Sequence, residues 1–216
     1  MKNVIFDMDG LLIDSEPTWK WVEQQALQQA LGLELSLTDL KRFTGRATRD
    51  FVRLIAQQYP QLNVDQPGLM QLILDMMAEQ ITEAPLLPGA LDLIHYLQEQ
   101  QTPMAIASST PRRLIQSVVA RHNLPIEIIT SGAEVAASKP HPEVFLQAAE
   151  RLGADPFDCW VFEDSLNGVI AGRAASMQVV AVPAADYAPM AHFSIASRID
   201  ASLVDTLAAL RAGEIS

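Results

Sequence analysis

Several short apolar runs along this chain end abruptly in polar or charged residues, and the first of them is the most informative. The apolar run at residues 4–6 is followed at once by Asp7 and, one residue later, by Asp9. Such a run predicts a strand buried on both faces, and a carboxylate directly after it avoids a desolvation penalty only by meeting water, a metal or a ligand. Because aspartate and glycine are also common turn residues, this stretch alone leaves a solvated turn equally open.

The same pattern recurs twice further along the chain. One apolar run ends in Ser108 and Ser109, and another ends in Glu163 and Asp164. In open parallel sheets, ligands bind outside the carboxyl ends of the strands, so these polar ends are expected to converge. Lys139, between a predicted strand and a predicted helix, adds a positive charge. Taken singly it would be a solvated surface lysine, but its place in this series favours a functional role.

This combination of side chains suits a phosphate group held together with a metal ion. Mg²⁺ takes oxygen ligands and commonly uses only one or two carboxylates plus phosphate oxygens. Carboxylates, a hydroxyl and one lysine at neighbouring strand ends supply both the ligands and the positive charge that such a site needs. The residues therefore predict Mg²⁺ as the cofactor.

Between the first strand and the rest of the sheet pattern, the chain is helical. A helix start at Ser15 and a stop at Gly32 frame the first helix, Thr48 is expected to cap a second one, and a third is predicted at residues 67–81. Three helices without an intervening strand predict a separate helical insertion, roughly over residues 14–84, between the first strand and the rest of the core.

After this insertion, strands and helices alternate to the end of the chain. Further strands are predicted at residues 126–130 and 177–183, and a closing helix at 203–211. We therefore predict an α/β fold with a doubly wound, Rossmann-like parallel sheet over residues 1–13 and 85–216.

Composition restricts the possible partners and location. The 216 residues are 49% hydrophobic and carry a formal net charge of −11, which argues against nucleic acid and anionic membrane surfaces as partners. No apolar stretch approaches the roughly 18 residues of a membrane span. Asp7 interrupts the N-terminal apolar run too early for a secretory signal, so we expect a cytoplasmic protein. The single cysteine, Cys159, is expected to be an inert core residue, and a monomer is the preferred oligomeric state.

Taken together, the residues resemble a known family. The 7–10 stretch Asp-Met-Asp-Gly, Ser108, Lys139 and the pair Glu163-Asp164 match, in order, the four motifs of the haloacid dehalogenase superfamily. The chain is most similar to its sugar-phosphate phosphatase branch. Residues 6–17 in particular resemble the opening of bacterial 2-deoxyglucose-6-phosphate and hexitol-phosphate phosphatases.

This resemblance implies a mechanism and a metal site. Asp7 would be the nucleophile that forms an aspartyl-phosphate, and Asp9 the general acid and base. Asp7, Asp164 and the backbone carbonyl of Asp9 would hold Mg²⁺, with Glu163 either contacting the ion or lying behind its ligands.

The resemblance also implies how the substrate, a small phosphomonoester, is bound. Ser108 and the N–H groups that follow it, beginning with Ser109, would bind a phosphate oxygen, and Lys139 would bridge the phosphate and Asp7. Gly10 would permit close approach of the backbone.

The resemblance further implies that the helical insertion, residues 14–84, is a cap over the active site. A merely decorative insertion remains the alternative. In this cap, the turn at residues 44–48 is a candidate for substrate selection through Arg46, although such a turn is also a common linker.

Trp19 is the position at which the chain departs from a related enzyme type. In β-phosphoglucomutases of the superfamily, a histidine at the matching position helps to control acid–base chemistry. A tryptophan has no ionisable group there, which favours hydrolysis over mutase chemistry. Trp19 is expected either to stack on a sugar or, in preference, to pack within the cap.

Several functions therefore compete. The preferred one is a Mg²⁺-dependent phosphoric monoester hydrolase acting on small sugar or sugar-alcohol phosphates. The alternatives are a β-phosphoglucomutase-like phosphomutase and a phosphoglycolate-type phosphatase. A catalytically silent binding protein is disfavoured because all four motif residues are retained, and a dehalogenase because that chemistry needs neither Mg²⁺ nor Asp9.

Overall fold

The computed structural model of the protein describes residues 1–184 and 190–215, and a six-stranded sheet lies at its centre. The strands are β1 (Asn3–Phe6), β2 (Met104–Ser108), β3 (Ile128–Ser131), β4 (Cys159–Glu163), β5 (Gln178–Ala181) and β6 (Arg198–Ile199). They run parallel in the order β3-β2-β1-β4-β5-β6. The predicted α/β fold is confirmed.

Helices connect the strands and fill the interval between β1 and β2. The α-helices are α1 (Glu16–Leu31), α2 (Leu37–Lys41), α3 (Thr48–Gln58), α4 (Gln66–Gln80), α5 (Ala90–Glu99), α6 (Arg112–His122), α7 (Glu143–Leu152), α8 (Leu166–Ala174) and α9 (Leu203–Arg211). Short 3₁₀ turns lie at Pro60–Leu62, Ile81–Glu83, Pro156–Asp158 and Met190–Phe193. None of these helices is long and apolar enough to span a membrane.

Strand β1 is buried on both faces, as its uninterrupted apolar sequence predicts. Val4 and Phe6 belong to the apolar cluster that includes residues of α5, α6 and α9. Ile5 points the other way and belongs to the cluster that includes residues of α7 and α8. Because Val4, Ile5 and Phe6 are fully buried, the first carboxylate of this segment, Asp7, lies beyond the last strand residue.

Helices α1 to α4 follow one another with no strand between them in the described residues, and they are referred to below as the helical insertion. Helix α1 begins after Ser15 and ends at Gly32, whose φ of 63° suits glycine, so both predicted boundaries are correct. Helix α4 covers the predicted third helix, shifted by one residue. The assignment of residues 14–84 to a cap, and of residues 1–13 and 85–216 to the core, stays a proposal.

The structure corrects two details of the insertion. Thr48 does not cap α3: it is the first helical residue, and the N-cap position is Ala47, which makes no side-chain capping bond. The sequence also missed the five-residue helix α2, although Ser36 and Asp39 form a capping box at its start. Helix α2 is too short for its apolar spacing to stand out.

The two connections between the insertion and the sheet lie side by side. Asp14 N–H donates to Pro85 O at 2.9 Å, and Leu87 N–H donates to Leu12 O at 2.9 Å. Between these hydrogen bonds, Ile13 and Leu86 form an antiparallel bridge. The chain therefore enters and leaves the insertion at one place, immediately beside the loop that follows β1.

The remaining boundaries differ little from those predicted. Strand β3 begins two residues later than expected, β5 is shorter at both ends, and α9 has the predicted limits. Strand β6 was missed because its two residues are too few to show an alternating pattern.

Candidate active site

Lys139 lies at the centre of the charged cluster at the carboxyl ends of β1 and β4. Its ammonium group donates to Asp7 Oδ1 and, at 2.6 Å, to Glu163 Oε1, and it lies 4.7 Å from the centre of the Phe145 ring. The side chain is buried. Burial alone would lower the pKa of Lys139, but the charges of Asp7 and Glu163 outweigh it and raise the pKa. Lys139 is therefore a fixed positive charge, not a solvated surface lysine.

Glu163 is held from two sides. Its Oε2 accepts from the backbone N–H of Ser165 at 2.8 Å and from the Ser165 hydroxyl at 2.9 Å, while Oε1 accepts from Lys139. Helix α8 passes so close that a Cβ at Gly168 would lie 1.7 Å from Glu163 Oε1. These contacts orient Glu163 toward Lys139.

Asp7, Glu163 and Asp164 form a compact acidic cluster. One carboxylate oxygen from each of the three lies within 4.8 Å of the others. Burial, together with the neighbouring negative charges, raises the pKa values of Asp7 and Asp164 well above their usual range, although Lys139 opposes this for both. Lys139 alone does not neutralise three buried carboxylates. An oxygen-only donor set with excess negative charge suits a divalent cation such as Mg²⁺.

Gly10 borders this cluster, and its backbone explains why glycine is needed there. Its φ is 80°, and a Cβ at this position would lie 2.4 Å from Asp164 Oδ2. The close backbone approach expected at Gly10 is therefore an approach to Asp164.

Asp9 has a different environment. Its Oδ1 accepts from the Ser15 hydroxyl and the Trp19 indole N–H, each at 2.7 Å. Its Oδ2 accepts from the hydroxyls of Ser108 at 3.0 Å and Thr110 at 2.8 Å. Within the described residues, the Asp9 carboxylate is not part of the acidic cluster. The predicted role of the Asp9 backbone carbonyl as a metal ligand stays a prediction.

Trp19 packs in the apolar cluster of the insertion with 8% of its surface exposed. Packing was the preferred prediction, but the indole also donates to Asp9, which the sequence did not reveal. The other newly identified partners of Asp9 are Ser15 and Thr110. The position of Thr110, directly after the predicted Ser109, was the available signal for that residue, whereas Ser15 was identified from the sequence only as a helix start.

Ser108 and Ser109 lie beside Asp9 as predicted, but each already has partners. Besides donating to Asp9, the Ser108 hydroxyl accepts from the backbone N–H of Thr110 at 3.1 Å. The Ser109 hydroxyl donates to the backbone oxygen of Gly45 at 3.1 Å. A phosphate-binding role for these residues stays a prediction, and it would require Ser108 to exchange a partner.

The turn at residues 44–48 joins the insertion to the core. In addition to the Ser109 contact, the Asn167 amide donates to Thr44 O at 3.1 Å, and the Arg49 guanidinium donates to Ala136 O at 3.3 Å. Gly45 has a φ of 76°, and a Cβ there would lie 2.6 Å from the Ser165 hydroxyl oxygen. The turn is therefore more than a linker, because its hydrogen bonds hold the insertion against the core.

A narrow cavity lies between the strand ends and the insertion. Its free volume is about 40 Å³, enough for a few water molecules but not for a sugar phosphate. Arg46, proposed from the sequence, is in its wall. The lining residues are Asp7, Asp9, Glu16, Trp19, Lys20, Glu23, Phe43, Gly45, Arg46, Thr48, Ser108, Ser109 and Thr110.

Three charged residues of α1 in this wall were not identified from the sequence. Lys20 Nζ lies 3.2 Å from Glu23 Oε2 and 3.7 Å from Glu16 Oε2, and the Thr44 hydroxyl donates to Glu16 at 3.1 Å. Burial raises the pKa of Glu23 to about 7, with Lys20 opposing the shift. Charged residues on the same helix face as Trp19 were the signal that could have revealed them.

The chain is similar to known hydrolases and phosphatases. Residues 1–176 match the family model of haloacid dehalogenase-like hydrolases. The chain is 34% identical over 184 residues to hexitol phosphatase B of Escherichia coli K12, covering 83% of this chain and 82% of that protein.

Solved structures are also similar. A haloacid dehalogenase family hydrolase from Deinococcus radiodurans R1, with bound phosphate and sodium, matches 97% of this chain and 95% of its own at 29% identity and a TM-score of 0.72. A β-phosphoglucomutase from Clostridium difficile matches 95% of this chain and 92% of its own with a TM-score of 0.84. At 19% identity, this second likeness shows the fold alone.

Proposed function

Because the chain belongs to the haloacid dehalogenase-like hydrolases, as its sequence motifs predicted, we propose that it is a Mg²⁺-dependent phosphatase that hydrolyses small sugar or sugar-alcohol phosphates through an aspartyl-phosphate. The phosphatase name of its relative in Escherichia coli supports the predicted class, phosphoric monoester hydrolase.

The observation that carries this proposal is the contrast between Asp7 and Asp9. Asp7 contacts Lys139 within a cluster of carboxylates suited to a cation. Asp9, two residues on, is held by four neutral hydrogen-bond donors. Two carboxylates in such different surroundings can perform different tasks, one as nucleophile and the other as proton donor and acceptor.

Asp7, Asp164 and the backbone carbonyl of Asp9 would hold the Mg²⁺ ion. When bound, the ion supplies positive charge that offsets repulsion between the carboxylates and the anionic ester. Glu163 would support Lys139 from behind, since both of its oxygens already accept hydrogen bonds.

In the first step, a carboxylate oxygen of Asp7 attacks phosphorus, and the bond between phosphorus and the ester oxygen breaks. For the leaving alkoxide to take a proton from Asp9, that carboxyl must enter the step protonated, so one of the hydroxyls that donate to it has to turn and accept instead. Asp9 then removes a proton from water, whose oxygen attacks the phosphorus of the aspartyl-phosphate. Inorganic phosphate leaves and Asp7 is restored. Lys139 stays charged throughout and, with Ser108, binds phosphate oxygens.

The insertion would control access to this chemistry. The cavity holds only a few water molecules, so a sugar phosphate enters only if the insertion moves away from the strand ends. Closure after binding would bring Trp19 and Ser15 back to Asp9 and exclude bulk water. The adjacent connections at Ile13 and Leu86 are the place for the hinge.

A phosphomutase is the second candidate, because this chain shares its fold with a β-phosphoglucomutase. The contact between Trp19 and Asp9 favours hydrolysis, since an indole N–H holds the carboxylate without offering a titratable group. A phosphoglycolate-type phosphatase is the third candidate. The expected cytoplasmic location and monomeric state stay predictions.

A phosphate-release screen over sugar, polyol and glycolate phosphates, with and without EDTA, tests the proposal. We expect release from hexose or hexitol phosphates with Mg²⁺ and none after chelation. Full activity in metal-free buffer would contradict the metal assignment. Transfer of phosphate between positions of the sugar without release would identify a mutase, and a clear preference for phosphoglycolate would overturn the substrate class.

A further inference from the structure

Lys20 and Glu23 place opposite charges in the wall of the cavity, where few charged side chains would be expected. Only 8% of Lys20 and 7% of Glu23 is exposed, and their charged atoms lie 3.2 Å apart. Both belong to α1, and both line the same cavity as Asp7 and Asp9. Neither contributes to the chemistry described above.

Their position on α1 relates them to the substrate. Trp19 contacts Asp9, and Glu23 lies on the same helix face about one turn, or roughly 5.4 Å, further along. The leaving group must have its ester oxygen near Asp9 to receive the proton. The rest of that group therefore extends toward Lys20 and Glu23.

Stability does not explain this pair. Replacing a buried ion pair by apolar residues of similar volume is often neutral or stabilising, because both charges lose their hydration on burial. Both residues line the cavity, so their charges can interact with whatever enters it.

The chemistry of the pair selects for hydroxyl groups. Lysine only donates hydrogen bonds, ionised glutamate only accepts them, and a hydroxyl does both. Neighbouring hydroxyls can thus satisfy Lys20 and Glu23 together. An alkyl chain would leave both charges without a partner from the ligand, and a second anionic group would meet the carboxylates of Glu16 and Glu23.

We propose that Lys20 and Glu23 bind hydroxyl groups on the part of the substrate remote from the phosphate, and so select neutral polyol phosphates over alkyl phosphates. This inference rests on the phosphatase function proposed above and extends it to the substrate.

The test compares two six-carbon esters, a hexitol 6-phosphate and n-hexyl phosphate, which differ in their hydroxyls. Phosphate release is measured for the wild type, Glu23→Gln and the double variant Lys20→Met/Glu23→Leu, which replaces the pair by apolar residues. We expect kcat/KM for the hexitol ester to fall about 10- to 100-fold in both variants, while that for n-hexyl phosphate changes less than about threefold. Glu79→Gln, at an exposed position of α4, is the control and should change neither.

Several outcomes would overturn the inference. They are an equal loss for both esters, unchanged selectivity in the variants, and a wild-type preference for the hexitol ester below about threefold. If the double variant does not fold, the inference is judged from Glu23→Gln and from the wild-type ratio of kcat/KM for the hexitol ester to kcat/KM for n-hexyl phosphate. If selectivity fails but n-hexyl phosphate is still hydrolysed, this inference is wrong and the proposed phosphatase function stands. If the wild type hydrolyses neither ester nor p-nitrophenyl phosphate, the phosphatase function fails, and this inference with it.

Discussion

The two ends of the cavity bury charge in different ways. At the core end, Asp7 lines the cavity and accepts a hydrogen bond from Lys139, which in turn contacts Glu163 behind the wall. At the other end, the wall comes from the insertion, with Lys20 and Glu23 on one helix. Asp9 lies between them, with Ser108 and Thr110 from the core and Ser15 and Trp19 from the insertion side.

Under the proposed function, the core end would carry out the chemistry and the insertion would control access to it. Among the described residues, the hydrogen bonds of Asp7, Lys139 and Glu163 given above all come from the core, and none of them comes from α1 to α4. If the insertion moves as proposed, Asp9 would lose two of its four donors. Under the proposed function, substrate capture would then be coupled to the geometry of the acid and base, while the hydrogen bond between Lys139 and the proposed nucleophile, Asp7, would stay in place.

The largest effect is expected from Asp7→Asn, which removes the nucleophile at the core end. Phosphate release should fall to background for every ester. Circular dichroism should be unchanged, and Asp92→Asn, at an exposed position of α5, serves as the control. Substantial turnover by a folded Asp7→Asn variant would exclude covalent catalysis through this residue.

Asp9→Asn is expected to reduce kcat by about 10²- to 10⁴-fold, because proton transfer to the leaving group and from water is lost. The nucleophile is intact in this variant, so trapping of phosphorylated Asp7 by rapid quench should still succeed with p-nitrophenyl phosphate, whose leaving group needs no proton. Failure to form any phosphoenzyme from this ester would place Asp9 in phosphate binding instead.

Lys139→Met is expected to reduce kcat/KM about 10²- to 10³-fold. It also leaves Asp7 and Glu163 buried without their cation, so thermal unfolding should show a loss of about 3 kcal/mol, partly restored by added Mg²⁺. Lys139→Arg keeps the charge but distributes it over a planar group, and should restore stability better than activity. Normal kinetics in Lys139→Met would contradict the role assigned at the core end.

Trp19→Phe keeps the packing but removes the N–H that holds Asp9. We expect about a 10-fold loss of kcat for sugar phosphates and a smaller loss for p-nitrophenyl phosphate. Trp21→Phe is a matched control, since Trp21 lies two residues away on the same helix with 45% of its surface exposed. Equal losses for both esters would mean that the indole acts through packing alone.

The smallest expected effect is a change in the pH dependence of stability, caused by Glu23 at the insertion end. The pKa of Glu23 is raised from 4.5 to about 7, so between these values the folded protein binds more protons at this residue than the unfolded chain does. Stability therefore falls as pH rises through this interval, by up to about 3 kcal/mol from this group. Glu23→Gln should show a shallower fall in chemical denaturation at pH 5 and pH 7. Asp7 and Asp164 contribute equally to both proteins and cancel in the comparison. Identical slopes would show that Glu23 titrates normally.

Much of the fold could be predicted because its signals are local. An apolar run such as residues 4–6 specifies a doubly buried strand, and a proline near its start with a glycine at its end frames α1. Strand β6 and helix α2 were missed because two and five residues carry too little periodicity. Thr48 was misplaced by one position because a threonine can both cap a helix and begin one.

For the site, the sequence by itself determined which residues gather at the strand ends, since parallel strands bring their carboxyl ends to one edge. Asp7, Asp9, Ser108, Glu163 and Asp164 follow from that rule, whereas Lys139, in the loop between β3 and α7, was proposed because it supplies the positive charge that such a site needs. Only the tertiary structure decided that Trp19 and Ser15 hold Asp9, that Glu163 orients Lys139, and that Lys20 and Glu23 face the cavity. These contacts depend on how the insertion is seated against the core, through hydrogen bonds such as that from Ser109 to Gly45. No local pattern encodes such packing between segments distant in the chain.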